Sequence, residues 1–276
     1  MRRTLSPILA AFFLVASSAL FAGDIPLWGD SQGKGEPAIV LLHGAGSDRS
    51  LWDLVLPALS KTHRVVRVEL PGHGASPMIG EITVKSVARA VDKALERQHV
   101  ERALLVGHSY GAWVALEEAV ASPKRVAAVA VIDMGSYTPQ DSARTVALER
   151  YIEERYPSLV RAIFEVMSQN PAESDSAVVQ ALRVPREVLS AYLRDAWRTD
   201  LRTRIRDLEI PIHVIAAEGS WPVTQPWERG RHRFGYMTAG SAEGYRVLES
   251  GHLVMRDQPD TLAAILLKIA NDLPKR

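Results

Sequence analysis

Ser109 stands in the run Leu104-Leu105-Val106-Gly107-His108-Ser109-Tyr110-Gly111-Ala112-Trp113, where an apolar strand pattern passes through Gly-x-Ser-x-Gly into a helical one. A serine hydroxyl is a weak nucleophile near neutrality. It becomes useful when a turn lifts it off the backbone, a base takes its proton and hydrogen-bond donors meet the oxyanion. The strand, turn and helix order supplies the lift. Without Cβ atoms at Gly107 and Gly111, strand end and helix start close on each other and hold Ser109 in a strained conformation, a nucleophile elbow. Three fixed positions recur by chance, so the weight falls on what surrounds them.

Upstream, the apolar run Ala38-Ile39-Val40-Leu41-Leu42 ends in His43-Gly44-Ala45-Gly46. Downstream, Tyr245-Arg246-Val247-Leu248 leads through Glu249-Ser250 to Gly251-His252. With Glu69-Leu70-Pro71-Gly72-His73-Gly74-Ala75-Ser76 and the helical stretch Pro259 to Leu273, these motifs follow the order of the α/β-hydrolase superfamily, which the chain resembles from about Ile39 onward. The segment between Tyr137 and Arg206 lies outside the resemblance. The resemblance implies an α/β fold, a mostly parallel central sheet with helices on both faces. It also implies Ser109 as nucleophile and His252 as the base, since an imidazole with a pKa near 6.5 can take the serine proton and return it to a leaving group. The oxyanion hole it implies is built from the backbone N–H groups of Ala45 and Tyr110. His43 and His108 fall where relatives carry supporting residues. His63, His73, His99, His213 and His232 read as surface or structural.

The acid departs from the usual pattern. Most relatives place an aspartate in the loop that here reads Ala216-Ala217-Glu218-Gly219-Ser220, and Ser220 occupies its position. A serine cannot offset the charge of an imidazolium. Some relatives place the acid after the preceding strand, where Asp133 follows Val126-Ala127-Ala128-Val129-Ala130-Val131-Ile132. Asp133 is the favoured acid. Glu218, or a dyad without an acid, stays open.

The elements that must position these residues are apolar runs at 38–42, 65–70, 103–106, 126–132, 212–216 and 245–248, alternating with helical patterns at 51–60, 84–98, 112–121 and 261–272. Such alternation implies a parallel sheet covered on both faces, with a site beyond the carboxyl ends of the strands. Three amphipathic stretches, 142–156, 159–168 and 185–198, predict a helical cap over about 137–206. Its apolar residues Tyr151, Phe164, Met167, Tyr192 and Trp197 read first as packing between cap helices and second as substrate contacts, and its composition predicts an apolar pocket.

With 276 residues and 47% hydrophobic content the chain can bury a full core. Arg2 and Arg3 precede an uncharged run from Leu5 to Phe21, which reads as a signal peptide cleaved after Ala22, or after Ala19, ahead of a hydrolase domain over 23–276; the alternative, an uncleaved membrane anchor, is disfavoured by the shortness of the run and by Pro7 within it. That predicts a periplasmic or secreted protein with no stable membrane anchor after cleavage. Removing Arg2 and Arg3 leaves 31 basic against 32 acidic residues, a balance that gives nucleic acid or an anionic membrane no basic field to bind. Cysteine is absent, which excludes disulfides and cysteine-ligated zinc. The expected activity is a serine hydrolase acting on a small-molecule carboxylic ester, thioester or lactone through an acyl-enzyme, with no metal or organic cofactor; the oligomeric state is not legible. The rival readings are a receptor-like binding protein with negligible turnover and a carbon–carbon bond hydrolase on the same scaffold.

Overall fold

A computed structural model describes residues 26–139 and 141–274. The expected signal peptide and its cleavage sites lie outside the described residues. In chain order the strands are β1 (Gly29–Gln32), β2 (Ala38–Leu42), β3 (Val65–Val68), β4 (Ala103–His108), β5 (Val126–Ile132), β6 (Ile212–Ala217) and β7 (Ala242–Val247). The helices are α1 (Leu56–Leu59), α2 (Val84–Arg97), α3 (Tyr110–Ala121), α4 (Ser142–Glu154), α5 (Tyr156–Phe164), α6 (Pro171–Arg183), α7 (Arg186–Ala196), α8 (Trp227–Arg233), α9 (Val254–Asp257) and α10 (Pro259–Asp272).

One seven-stranded sheet runs in the order β1-β3-β2-β4-β5-β6-β7, parallel except for β1, which pairs antiparallel with β3 at the edge. β2 and β4 are buried along their whole length, as strands covered on both faces must be. Their side chains alternate between two cores. Ala38, Val40 and Leu42 face the cluster built with α2, α3 and the helices between β5 and β6; Ile39 and Leu41 face the one built with α1 and α10. The sheet therefore holds the carboxyl ends of β2, β4 and β5 side by side, and β6 and β7 continue the row.

The elements depart from the sequence reading in several places. A single helix over 51–60 does not form: Arg49–Trp52 is a 3-10 turn, and α1 starts just before Pro57, which has no N–H to donate and is tolerated only in a first helical turn. β1, with sequence Gly-Asp-Ser-Gln, carries no apolar signal because it packs at a sheet edge. The helix α6 is additional to the three expected between β5 and β6; it buries only Ser174, Val178 and Ala181, a stripe too weakly apolar to register as periodic. α8 is polar, and Gly230 is its one buried residue.

Helices α4 to α7 enter and leave the body at one place. Tyr137 and Asp200 form an antiparallel bridge, the Thr138 N–H donates to the Thr199 carbonyl at 2.9 Å, and the Leu201 N–H donates to the Ser136 carbonyl at 2.8 Å. The inserted helices share a buried cluster with α3, so they are packed on the body and not merely tethered to it.

Candidate active site

The turn from β4 into α3 puts Ser109 at φ 53 and ψ −123, outside the conformations open to an ordinary L-residue at low cost. Neighbouring glycines make the turn possible. A Cβ on Gly107 would lie 2.2 Å from the Gly111 carbonyl oxygen, and one on Gly111 would lie 2.5 Å from the carbonyl oxygens of both His43 and Leu42. No side chain fits at either position. Ser109 is half-buried and lines a cavity of about 620 Å³. Ala45 lines the same cavity, and Tyr110, at the start of α3, is almost fully buried behind it.

His252 sits in the loop between β7 and α9. Its Nδ1–H donates to Asp133 Oδ2 at 2.8 Å, which leaves Nε2 as the free acceptor of the ring. His108 Nε2–H donates to the His252 carbonyl at 3.0 Å, and the two rings lie 4.5 Å apart. His108 immediately precedes Ser109, so this contact ties the elbow to the histidine loop. Burial drives the His108 pKa well below 6.5, helped by the nearby His252, and it stays neutral.

Asp133 follows β5 with φ 48, a left-handed conformation that aspartate tolerates better than most residues. Its carboxylate collects three donors: the His252 ring, the Ser220 hydroxyl at 3.1 Å on Oδ2, and the Ala217 N–H at 2.9 Å on Oδ1. With its side chain 3% exposed, the group is held by hydrogen bonds and not by water. Glu218 is elsewhere. Its carboxylate accepts the Glu249 N–H at 3.1 Å, while the hydrogen bond and ion pair of the His252 ring go to Asp133.

The histidine loop is also braced by the inserted helices. Leu253 N–H donates to the Met167 carbonyl at 2.8 Å. Asp257 accepts the Gly251 N–H at 2.7 Å and the Gln169 N–H at 3.1 Å, and it takes a short bond from the Ser168 hydroxyl. Arg256 and Glu173 form a two-point ion pair at 2.8 and 3.1 Å. A Cβ on Gly251 would lie 2.7 Å from the Met167 carbonyl oxygen, so the close crossing of these loops requires glycine. Sequence reading missed Asp257 and Ser220 as supports; neither carries a signal beyond its place next to a candidate.

Two histidines brace the loops on the other side. Leu70 N–H donates to His43 Nε2 and Gly46 N–H donates to His73 Nε2, both at 3.0 Å, while the Nδ1–H groups donate to the carbonyls of Gly44 and Pro71. Burial lowers His43 to about 4 and His73 to about 3, so both remain neutral acceptors at ordinary pH.

The cavity differs from the apolar pocket expected of the cap composition. Phe164, Met167 and Leu253 do line it, but Ser47, Asp48, Asp175, Ser176 and Gln180 line it as well. These polar residues come from the loop after β2 and from α6, the helix that the periodicity did not reveal. Among the aromatic cap candidates, Tyr192 is packing, fully buried, and Tyr151 is 47% exposed.

The model of the alpha/beta hydrolase family matches residues 39–265. A pimeloyl-(acyl-carrier protein) methyl ester esterase of Edwardsiella ictaluri is 32% identical over 193 residues, 65% of this chain and 73% of that enzyme. An enzyme of the same name from Methylococcus capsulatus is 41% identical over 103 residues, but the match spans only 37% of this chain and 39% of that relative. In fold, the chain is similar to the enol-lactonase of Burkholderia xenovorans, with a TM-score of 0.78 at 18% identity over 89% of this chain and 96% of that one.

Proposed function

The chain belongs to the alpha/beta hydrolase family and is hydrolase-like in the manner of its esterase relatives, and from that premise we propose that it is an exported serine hydrolase that cleaves a carboxylic ester, thioester or lactone. His252 Nε2 takes the Ser109 proton as Oγ attacks the acyl carbonyl. The N–H groups of Ala45 and Tyr110 meet the oxyanion, and the imidazolium then protonates the departing alcohol or thiol. A water molecule, deprotonated by the same nitrogen, attacks the acyl-Ser109 ester, and collapse of the second tetrahedral species frees the acid and returns the proton to Oγ. Asp133 holds the tautomer and offsets the imidazolium charge.

The observation that carries the proposal is the 2.8 Å contact from His252 Nδ1 to Asp133, on a histidine loop bonded to the residue before the elbow serine. Ser220, which stands where most relatives carry the acid, donates instead to the Asp133 carboxylate. The polar wall of Ser47, Asp48 and Ser50 with α6 favours an ester with a polar group over a long alkyl chain. Labelling with a fluorophosphonate tests the assignment. Ser109 should carry the adduct, and Ser109→Ala should lose both the label and several powers of ten in turnover of a p-nitrophenyl ester. An unlabelled wild-type serine, or a Ser109→Ala variant with wild-type rates, overturns it.

A further inference from the structure

Tyr192 and Asp195 lie three residues apart on α7 and so share one face of that helix. Asp195 Oδ2 accepts two donors from the body, the Tyr110 phenol at 2.7 Å and the Val84 N–H at the start of α2 at 3.0 Å. Tyr110 directly follows Ser109. Tyr192 meets the Tyr110 ring edge-on at 4.7 Å and the His73 ring edge-on at 4.8 Å, and its hydroxyl donates to the Pro71 carbonyl at 2.9 Å. His73 in turn accepts the Gly46 N–H at 3.0 Å, next to Ala45. Both stretches of backbone assigned to the oxyanion hole are therefore keyed to one inserted helix: Tyr110 through Asp195, and the loop of Ala45 and Gly46 through His73 and Tyr192.

A backbone donor has no rotamer of its own. The N–H of Tyr110, in the first turn of α3, has no partner four residues back in the helix, so its aim depends on how firmly the residue is held. The Tyr110 ring is pinned at its hydroxyl by Asp195 and on its edges by Tyr192 and Trp113. We propose that α7 positions the oxyanion hole and that Asp195 is the positioning residue which sets the Tyr110 N–H. The proposal rests on Ser109 being the nucleophile, and it adds to the inserted helices a duty distinct from roofing the cavity.

The test uses Asp195→Ala, Tyr110→Phe, their double variant and Asp195→Asn. Turnover of p-nitrophenyl acetate is normalised to sites titrated by a fluorophosphonate, and affinity is measured for a trifluoromethyl ketone, whose adduct carries the oxyanion. Displacing a donor by a fraction of an ångström to an ångström should lower kcat about tenfold to a hundredfold with KM within about twofold. Ketone affinity should fall by the same factor, and the double variant should be no worse than either single one. Because both donors meet one oxygen, an amide oxygen at that place accepts both, and Asp195→Asn should restore most of the rate. Should Asp195→Ala fail to fold, Tyr110→Phe, which removes a single hydroxyl, decides the matter. Unchanged kcat per titrated site and unchanged ketone affinity, with only a lowered Tm, would reduce the contact to a brace and overturn the proposal. Failure of the nucleophile assignment looks different, since the wild-type enzyme would then carry no label at Ser109.

Discussion

Asp133→Asn changes one atom and should cost nearly all activity. The carboxylate has two inequivalent oxygens: Oδ1 faces the Ala217 N–H at 2.9 Å, while Oδ2 faces the His252 ring at 2.8 Å and the Ser220 hydroxyl at 3.1 Å. An asparagine must place its oxygen on one side and its NH2 on the other. Facing the NH2 toward Ala217 would set two donors against each other, and the backbone N–H cannot turn away. The amide oxygen therefore goes to Ala217 and the NH2 to His252, where the ring can adapt by moving its proton to Nε2 and accepting at Nδ1. Ser220 adapts too, since a hydroxyl both donates and accepts. The fold survives, but the nitrogen that must take the Ser109 proton now carries one.

Loss of the correct tautomer and of the charge opposite the imidazolium lowers kcat by about 10⁴ in a serine triad, a barrier increase of about 5.4 kcal/mol. Turnover of one short p-nitrophenyl ester at fixed pH, with Tm measured in parallel, reads the effect. Glu218→Gln is the matched control: its partner is the Glu249 N–H, which a glutamine oxygen also satisfies, so its rate should stay within about twofold. A crippled Glu218→Gln beside a nearly normal Asp133→Asn would refute the reasoning.

Gly251→Ala forces a Cβ to 2.7 Å from the Met167 carbonyl and should displace His252, lowering kcat by about a hundredfold; activity per titrated site equal to wild type would count against the crossing being tight. His43 at about 4, His73 at about 3 and His108, also lowered, bind protons more weakly folded than unfolded, so their stability contribution is full above pH 6.5 and is lost as pH falls below it. Each adds a slope of up to about 1.4 kcal/mol per pH unit; Glu118, pushed up to about 7 by burial, opposes them between its unfolded value and 7, so Glu118→Gln should steepen the fall of denaturant-measured stability from pH 6.5 to 5, and a flat profile would contradict it. Export with cleavage after Ala22 gives a mature chain that starts at Gly23, and intact mass of the soluble product from a periplasmic or culture fraction checks it; a retained Met1 would contradict it.

The strands that carry Ser109 and Asp133 were legible because a parallel sheet buries both faces, and uninterrupted runs such as Val126 to Ile132 have few other uses. Elements that bury little were not. β1 and α8 present mostly polar residues, and α6 turns a stripe of serine, valine and alanine inward. Missing α6 had a consequence, because the same helix supplies Asp175, Ser176 and Gln180 to the cavity wall. Its N-terminal signal was nonetheless present: Asn170 accepts the Ala172 N–H ahead of Pro171, a cap and first-turn proline that mark a helix start independently of any apolar period.

Asp195, His73 and Asp257 were beyond the reach of sequence for a different reason. Each acts on a partner far along the chain, from Asp195 to Tyr110, from His73 to Gly46 and from Asp257 to Ser168, and nothing local to a lone aspartate or histidine announces such a partner. The proposed acid falls between these cases. Residue order left Asp133, Glu218 and a dyad without an acid open, and what favours Asp133 is its bond to the His252 ring, set up by the geometry of neighbouring strand ends. β5 and β6 pair in parallel from Val129 with Ile212 to Ile132 with Ile215, so the loops that follow them start side by side. Asp133 reaches across to bond Ala217 and Ser220 of the second loop, and its Oδ2 meets the Ser220 hydroxyl at the same place where it meets His252. A carboxylate rooted in either loop can therefore arrive near one point beside the histidine. Ser220→Asp placed on the Asp133→Asn background follows from that equivalence, and recovery of turnover there would show that the histidine needs a charge at that point and not an aspartate on a given strand.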